Sequence, residues 1–383
     1  MREPVRKVTL KDGSIRYRVV VDVGMRPDGR RDQRTSTHPT AKQARAAVAR
    51  IRSQVDTGNY VRPAKETVDS HLDSWLQSKR LSENRPATIR CYTDALKAVR
   101  SMLGSKPLQA LTAEDVETVK AAMLDGTARR VGVKGKPLSA RAVNLTLGTL
   151  RQALDQAVKR GKVTRNVAAL VDHAAGEARP GAAWTPAQAA AFKEAASADR
   201  LHAAWLLTCC GLRRGEVLGL EWQRDLDLDD GTVTIAISRT VVAGQIVEGP
   251  PKTRRGARTL PLDATLVAAL RKLRTRQSEE RLAAGPAAYD GTAGKMVVDE
   301  LGRPPRPEWY SDTFARLARQ AEVPVIRLHD ARHTSVTIMR SLGIPAHVVA
   351  AWHGHDEAVM ARTYTHTYLD ELRAAAEQLA GNL

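Results

Sequence analysis

Residues 208–222 read TCCGLRRGEVLGLEW, and the interpretation of the C-terminal half of the chain starts from this stretch. Apolar side chains in and beside it predict a buried element: Leu206, Leu207, Leu212, Val217, Leu218 and Leu220. Arg213 and Glu216 stand inside that run, where a charge is costly unless it is paired. Three residues apart, they would share one face of a helix if the helix continues through Gly211. Taken alone, the pair is explained at least as well by a structural ion pair as by a functional site.

Two more polar clusters follow. KTRRGAR begins at Lys252, after two prolines that end a predicted strand, and a lysine at such a hairpin tip is usually only solvated. RLHDARHTSVTIMRSLG begins at position 327 and contains His329, Arg332 and His333. The His-x-x-Arg spacing would place the side chains of His329 and Arg332 on one side of a helical turn.

The last cluster, AWHGHDEAVMARTYTHTY, is rich in residues that can bind metals or react. It contains His353, His355, Tyr364, His366 and Tyr368. The chain has only 7 tyrosines, so two of them within five positions call for an explanation. A zinc site would need three or four Cys, His or carboxylate ligands. Arg332 beside His329 would repel a cation, and neither HExxH nor paired CxxC occurs, which disfavours zinc.

The charge balance indicates a polyanionic partner. The net charge is +18 and the sequence pI is about 10.2. Neutralised phosphates release condensed counterions, so nucleic acid is favoured over a membrane or a merely solvated basic surface. No apolar run is as long as a membrane span, and the absence of a signal peptide predicts a cytoplasmic protein. Cys91, Cys209 and Cys210 have no metal-like spacing and are expected to be reduced and mostly buried.

Residues 1–64 carry a clear excess of Lys and Arg and predict a small DNA-binding module. SIRYRVVVDV reads as strands, and RPDGRR supplies a turn. A helix then begins after Thr40, an N-cap residue with Gln43 three positions on, in a capping-box pattern. A basic but inert N-terminal extension is the alternative.

Residues 65–172 are predicted to be helical. Apolar residues keep a three-and-four spacing in two sets: Ile89, Tyr92, Leu96, Val99 and Leu103, then Val143, Leu147, Leu150, Leu154 and Val158. Thr112, followed by Asp115 at the third position, is an N-cap signal. The basic loop TARRVGVKGKPL would suit a phosphate backbone, although a plain helical bundle with a solvated loop is the safer interpretation.

Residues 173–184, which are small, polar and marked by Gly and Pro, predict an interdomain linker. Residues 185–383 would form the last domain, which opens with a Thr185-to-Gln188 capping box and Pro186 at the first helical position. This domain is predicted to be mostly helical. TVTIAIS and TVVAGQIVE interrupt it as a hairpin or three-stranded sheet. The whole chain is thus expected to be mainly α with small β elements (α+β).

Two arginines, a lysine, histidines and a tyrosine suit a phosphodiester. A tyrosine hydroxyl has a pKa of about 10 and is a weak nucleophile until a base or cations activate it. Arginines can grip two non-bridging oxygens and stabilise the charge that builds in the transition state. A lysine or histidine can protonate the leaving oxygen.

In this respect the chain resembles the tyrosine recombinases of the phage-integrase type. GLRRGE, KT, HDARHT, GH and TYTH occur in the order that this family has them, and AVKRGKVTRNVAAL is similar to the end of its core-binding domain. Asn166-Val167 replaces the usual Asn-Pro, and HGHD replaces the commoner Leu-Gly-His-Ser around His355. The resemblance implies an arm-type DNA-binding domain at 1–64, a helical SAM-like core-binding domain at 65–172 and a catalytic domain at 185–383.

The resemblance also implies roles for the matching residues. Arg213 and Arg332 would clamp the scissile phosphate, and Glu216 would orient Arg213. Lys252 would be the general acid for the departing 5′ oxygen.

The remaining matches concern proton transfer and the nucleophile. His329 would assist proton transfer to or from Tyr364, and His355 would hydrogen-bond the phosphate. Tyr364 would attack it, leaving a 3′-phosphotyrosyl link and a free 5′ hydroxyl, without ATP, metal or other cofactor. Tyr368 matches no motif and is predicted to be a packing residue.

The implied function is site-specific integration and excision of a phage or other mobile element. The implied partners are double-stranded DNA at core-type and arm-type attachment sites, a homotetramer on that DNA, an excisionase and a host DNA-bending protein. The C-terminal tail has apolar Leu369, Leu372, Ala376 and Leu379 at helical spacing, and would pack on a neighbouring protomer or on its own domain. A type IB topoisomerase and a non-cleaving DNA-binding regulator are the alternatives.

Overall fold

The computed structural model describes residues 3–10, 12–25, 29–82, 84–128, 136–176, 182–251, 253–291 and 294–355. The chain divides into two compact units, Met1–Glu177 and Ala178–Leu383. The division falls within the stretch predicted as a linker. The two ends of that stretch belong to the cores of their units, because Ala174 and Trp184 are both buried.

The first unit begins with an antiparallel three-stranded sheet and one helix, as the sequence predicts. Their bounds are β1 Val5–Thr9, β2 Ile15–Met25, β3 Arg31–His38 and α1 Ala41–Asp56. Val19 and Val21 of β2 are buried against α1, together with Ala44, Val48 and Ile51. Thr40 is the N-cap, since its hydroxyl accepts a hydrogen bond from the Gln43 backbone N–H at 3.2 Å.

The rest of the first unit is helical, which confirms the prediction for its secondary structure. The helices are α2 Val68–Leu81, α3 Pro86–Ala95, α4 Lys97–Leu103, α5 Ala113–Asp125 and α6 Ala140–Lys159. The first apolar set is divided between α3 and α4, and the second lies on α6. Thr112 and Asp115 form the predicted reciprocal capping box at the start of α5.

The second unit combines helices with two small sheets. Its elements are α7 Pro186–Ala195, α8 His202–Cys209, α9 Arg214–Gly219, α10 Trp222–Asp225, β4 Leu226–Asp227, β5 Thr232–Ile235, β6 Ser238–Val242, β7 Gln245–Gly249, β8 Arg258–Pro261, α11 Ala264–Ala284, α12 Pro307–Gln320, α13 Leu328–Ser341 and α14 Ala346–His353. The capping box of Thr185 and Gln188 with Pro186 at the first helical position is confirmed at α7. A continuous core includes Trp184, Phe192, Trp205 and Phe314.

The predicted strand runs separate into two sheets. β5 pairs with β4 and β8, whereas β6 and β7 form a hairpin of their own. Its turn is Ala243-Gly244, with φ of 53° and 82°, and two positive φ values suit the twist of a two-residue hairpin. The hairpin leads towards the Pro-Pro-Lys stretch.

The expectation of mostly buried cysteines is wrong for one of the three. Cys91 is exposed, whereas Cys209 and Cys210 are partly buried. Burial raises the pKa of Cys209 to about 12 and that of Cys210 to about 11, which makes both thiols unreactive at neutral pH. Among the described helices, none is both long and apolar enough to cross a membrane.

Candidate active site

Arg213 and Glu216 would share a face of α8 only if that helix continued through Gly211, and it ends two residues earlier. α8 finishes at Cys209, and Gly211 adopts a φ of +89°, which favours glycine and turns the chain. Arg213 is the N-cap residue of the new helix α9 instead of a member of α8. Arg213 and Glu216 nevertheless form an ion pair, at the first turn of α9.

Glu216 is the electrostatic centre of this turn. Its side chain is 1% exposed. Arg213 donates to it twice, from Nη1 to Oε1 at 2.6 Å and from the backbone N–H to Oε2 at 3.0 Å. The Arg213 side chain is 35% exposed, so one end is fixed by the carboxylate while its surface remains open to a ligand.

Arg258, on β8, is a second partner of Glu216 that sequence reasoning missed. Its Nη1 and Nη2 donate to the two carboxylate oxygens at 3.3 and 3.1 Å, and its Nε donates to the Trp352 carbonyl at 2.6 Å. Burial by itself would raise the pKa of Glu216, but Arg258 and then Arg213 hold it below its usual value. The only sequence signal was the last arginine of KTRRGAR, and its partner is 42 positions away.

Arg332, on α13, is buried and joins three parts of the site. Its Nη1 donates to the Gly211 carbonyl at 2.8 Å, and its Nη2 donates to the His353 carbonyl. These bonds tie α13 to the turn after α8 and to the end of α14. The guanidinium is therefore held rigidly, as a group that stabilises developing charge must be.

His329 and His355 lie within electrostatic range of both arginines. Burial first, and then the charges of Arg332 and Arg213, lower the pKa of His355 to about 4. Burial and the neighbouring His333 and Arg332 also lower the pKa of His329. Both rings are hence neutral near pH 7, so each can accept a proton or give one hydrogen bond. His355 Nδ1 is buried and makes no hydrogen bond to a described residue.

His353 replaces the Leu of the commoner Leu-Gly-His-Ser. Its ring is fully buried and holds the end of α14 against α13. Its Nδ1 lies 2.9 Å from the Val349 carbonyl and its Nε2 lies 3.1 Å from Ser335 Oγ. The carbonyl requires Nδ1 to be the donor, which leaves Nε2 to accept from the hydroxyl. Burial and the charge of Arg332 lower the pKa of His353 to about 3. The ring also contacts the Gly211 turn, where an added Cβ would lie 2.5 Å from Nε2.

Several predicted residues lie outside the described residues. Lys252 falls in the gap at 252, and residues 356–383 include Tyr364, His366, Tyr368 and the tail. The structure thus brings together Arg213, Glu216, His329, Arg332 and His355, and their roles in catalysis remain predictions. In the described ranges, no three His, Cys, Asp or Glu side chains come close enough to share a metal ion.

The arrangement suits an anion. Two fixed guanidiniums can bind phosphate oxygens, and an imidazole that is neutral at pH 7 can accept a proton. The model of the Phage integrase family matches residues 187–371, a range that includes every candidate catalytic position. Residues 187–371 belong to the phage integrase family of tyrosine recombinases.

Two known proteins match most of the length of this chain. A "Tyrosine recombinase XerC-like" protein of Caldanaerobacter subterraneus is 26% identical, and the match covers 97% of each chain. An "Integrase" of Streptomyces ambofaciens is 27% identical over 89% of this chain and 86% of its own.

Solved structures confirm the fold class. A Tn1549 transposon integrase in complex with transposon right end DNA has a TM-score of 0.65 at 22% identity, over 82% of this chain and all of that one. A lambda integrase tetramer bound to a Holliday junction has a TM-score of 0.54 at 18% identity. The match covers 93% of this chain and 94% of that one. The predicted mainly α fold with small β elements is therefore correct.

Proposed function

We propose that the protein is a site-specific DNA recombinase of the integrase type, which cuts and rejoins DNA through a 3′-phosphotyrosyl intermediate. The observation that carries the proposal is the frame around Arg213 and Arg332. One guanidinium is fixed by a buried carboxylate and the other by two backbone carbonyls, and both lie within electrostatic range of neutral histidines. Such a frame is complementary to a phosphodiester that gains charge in its transition state.

The proposed reaction exchanges one phosphoester for another. The Tyr364 oxygen bonds to phosphorus, the bond to the 5′ oxygen breaks, and Arg213 and Arg332 bind the non-bridging oxygens. His329, neutral in the free protein, takes the tyrosine proton, and Lys252 gives a proton to the 5′ oxygen. Rejoining is the reverse with a new 5′ hydroxyl. Because the number of phosphoester bonds is unchanged, the reaction requires no ATP, and arginines supply the charge that a metal would otherwise supply.

The N-terminal sheet is the proposed arm-site reader. Arg6 pairs with Arg18 across β1 and β2, and Arg18 pairs with Thr37 across β2 and β3. These three exposed residues form a row on the face opposite Val19, which packs towards α1. A basic sheet face fits the major groove, where strands can reach base edges. A homotetramer on the DNA, an excisionase and a host DNA-bending protein complete the proposed assembly.

A nicked suicide substrate tests the chemistry. After cleavage, the short DNA fragment that carries the 5′ hydroxyl dissociates, so the strand cannot be rejoined and the covalent adduct accumulates. The wild-type protein should form a covalent adduct with DNA in the presence of EDTA. Tyr364→Phe should abolish the adduct, and the matched control Tyr368→Phe should retain it. Loss of the adduct in Tyr368→Phe alone would overturn the choice of nucleophile. Tight DNA binding without any adduct would favour the non-cleaving regulator, and relaxation of supercoils without strand exchange would favour the topoisomerase.

The sheet assignment has its own test. Arg6→Ala with Arg18→Ala should weaken binding to arm-type DNA and reduce the slope of log K against log salt by about two, while adduct formation at a core site persists. Lys42→Ala, on the exposed side of α1, is the matched control and should change arm-site binding little. Equal effects of both changes would contradict the assignment.

A further inference from the structure

A basic cleft of about 560 Å³ opens beside the candidate active site. It lies between the start of α9, strand β6, helix α12 and the start of α13. Arg213 and His329 line one end of it. Arg214, Arg239 and Arg327 line the remainder with three hydroxyl residues, and none of the described lining residues carries a carboxylate.

A close approach of backbone to backbone brings two of these arginines together. A Cβ at Gly215 would lie 2.4 Å from Ser238 Oγ and 2.9 Å from the Arg239 carbonyl. Only glycine allows α9 to sit so near β6, and this places Arg214 beside Arg239. Arg214 Nη1 is held by the Ser311 hydroxyl at 2.8 Å, so its side chain is directed along the cleft wall.

Arg239 is a buried arginine whose donors are incompletely used. The residue is 9% exposed, and its Nη1 donates to Glu248 at 2.8 Å. Glu248 also accepts from Lys295 Nζ at 2.8 Å, and Lys295 has Glu221 as a second carboxylate partner at the same distance. Arg239 Nε is buried and has no hydrogen-bond partner among the described residues. Unsatisfied buried donors are rare and costly, and an anionic ligand in the cleft would supply the missing acceptor.

Arg327 differs from these two residues. Its Nε and Nη2 donate to the two oxygens of Asp330 at 2.8 and 2.9 Å, so a carboxylate already binds the guanidinium at both of these nitrogens. Arg214 is bonded only to a hydroxyl and a carbonyl, and no carboxylate pairs with it among the described residues. The positive charge without a carboxylate partner thus comes from Arg214, and Arg239 adds a guanidinium with an unused donor.

We propose that this cleft is a second phosphate subsite, in which Arg214 and Arg239 bind the phosphodiester next to the scissile one on the cleaved strand. The inference rests on the proposed function, because the cleft begins at Arg213, which would hold the scissile phosphate. A contact to a neighbouring phosphate carries no sequence information, but it fixes the position of the strand. The subsite would thus place the scissile phosphorus in register with the nucleophile.

Neutral DNA linkages test the subsite directly. Suicide substrates carry one methylphosphonate at each phosphate flanking the scissile one, and Kd and the rate of adduct formation are measured for each. With wild-type protein, one flanking replacement should slow adduct formation or weaken binding about 10- to 100-fold, the range for a hydrogen bond to a charged group. Arg239→Met should show a similar loss on native DNA and little further loss with that same replacement. Arg274→Met, an exposed arginine of α11 outside the cleft, should respond to the replacements as wild type does.

The outcomes separate the two proposals. If every flanking replacement lowers the rate of Arg239→Met as much as it lowers the wild-type rate, the subsite does not exist. Thermal unfolding checks whether Arg239→Met folds. If it does not, the effects of the same methylphosphonate replacements are measured on Arg214→Met, and equal losses in that variant and in wild type would reject the subsite. If wild-type protein forms no adduct with native DNA, the proposed recombinase chemistry fails. The phosphate subsite can then still be tested by binding alone, from whether the effects of Arg239→Met and of the methylphosphonate on Kd are additive. Additive effects would reject the subsite.

Discussion

Replacing Glu216 by glutamine should both destabilise the second unit and disable the candidate site. The carboxylate is 1% exposed and accepts four hydrogen bonds, two from Arg213 and two from Arg258. Glu216→Gln removes the charge and turns an N–H₂ group towards one of the guanidiniums. Breaking a buried ion pair on one side costs about 3–5 kcal/mol, and we expect the free energy of unfolding to fall by that amount. Loss of a rigid Arg213 should slow adduct formation by about 10²- to 10³-fold.

A double-mutant cycle with Arg258→Met tests the same reasoning. Arg258→Met alone should cost a similar amount, because it leaves the buried Glu216 with only the Arg213 donors and removes the donor to the Trp352 carbonyl. The double variant should lose less than the sum, with a coupling of about 0.5–3 kcal/mol. Denaturant unfolding followed by tryptophan fluorescence reports mainly the second unit, because every tryptophan except Trp75 lies there. A Glu216→Gln protein within about 1 kcal/mol of wild type, or additive effects in the cycle, would refute the account of the carboxylate.

Three other predictions concern Gly211, His353 and Lys252. Gly211→Ala should lower stability by about 1–3 kcal/mol and slow cleavage, because the backbone has a φ of +89° and the new Cβ would clash with the His353 ring; unchanged melting would contradict this. In the unfolded chain His353 binds a proton below about pH 6.5, whereas in the folded protein it does so only near its pKa of about 3. The free energy of unfolding therefore falls as the pH is lowered from 6.5 towards 3. The slope is up to about 1.4 kcal/mol per pH unit, and His353→Leu should flatten it in urea unfolding between pH 6 and 4; an equal slope would exclude this histidine as its source. Lys252→Ala should slow cleavage of native DNA, whereas a 5′-bridging sulfur should restore the rate because a thiolate leaves without a proton; failure of this rescue would rule out Lys252 as the general acid.

Local signals in the sequence predicted local structure well. The caps at Thr112 and Thr185 depend on residues three positions away, and both capping boxes are present. The HDARH stretch lies on a helix, as its spacing indicates, and His329 and Arg332 are on α13. Such features need no knowledge of the tertiary structure, because the interacting groups are within one helical turn.

Interactions between distant segments were beyond the sequence. Arg258 meets Glu216 only through the tertiary structure, because 42 positions separate them, and no pattern within KTRRGAR distinguishes it from the other basic residues there. The sequence left the course of the helix at Gly211 open for a related reason, since the positive φ there allows close contact with a histidine more than 140 positions later. Arg239 gave no signal at all, because its strand position looks like that of any surface arginine.

Cleavage of DNA with a neutral scissile linkage tests the central claim, that arginines balance the charge on the reacting phosphate. Arg213→Ala should be nearly inactive on native DNA, because one non-bridging oxygen loses its cation. A methylphosphonate at the scissile position removes that oxygen's charge, so the account predicts that Arg213→Ala forms the Tyr364 adduct on this substrate at a rate near that of wild type. If Arg213→Ala stays inactive on the methylphosphonate while wild type cleaves it, Arg213 does not act by neutralising the phosphate and the account is wrong.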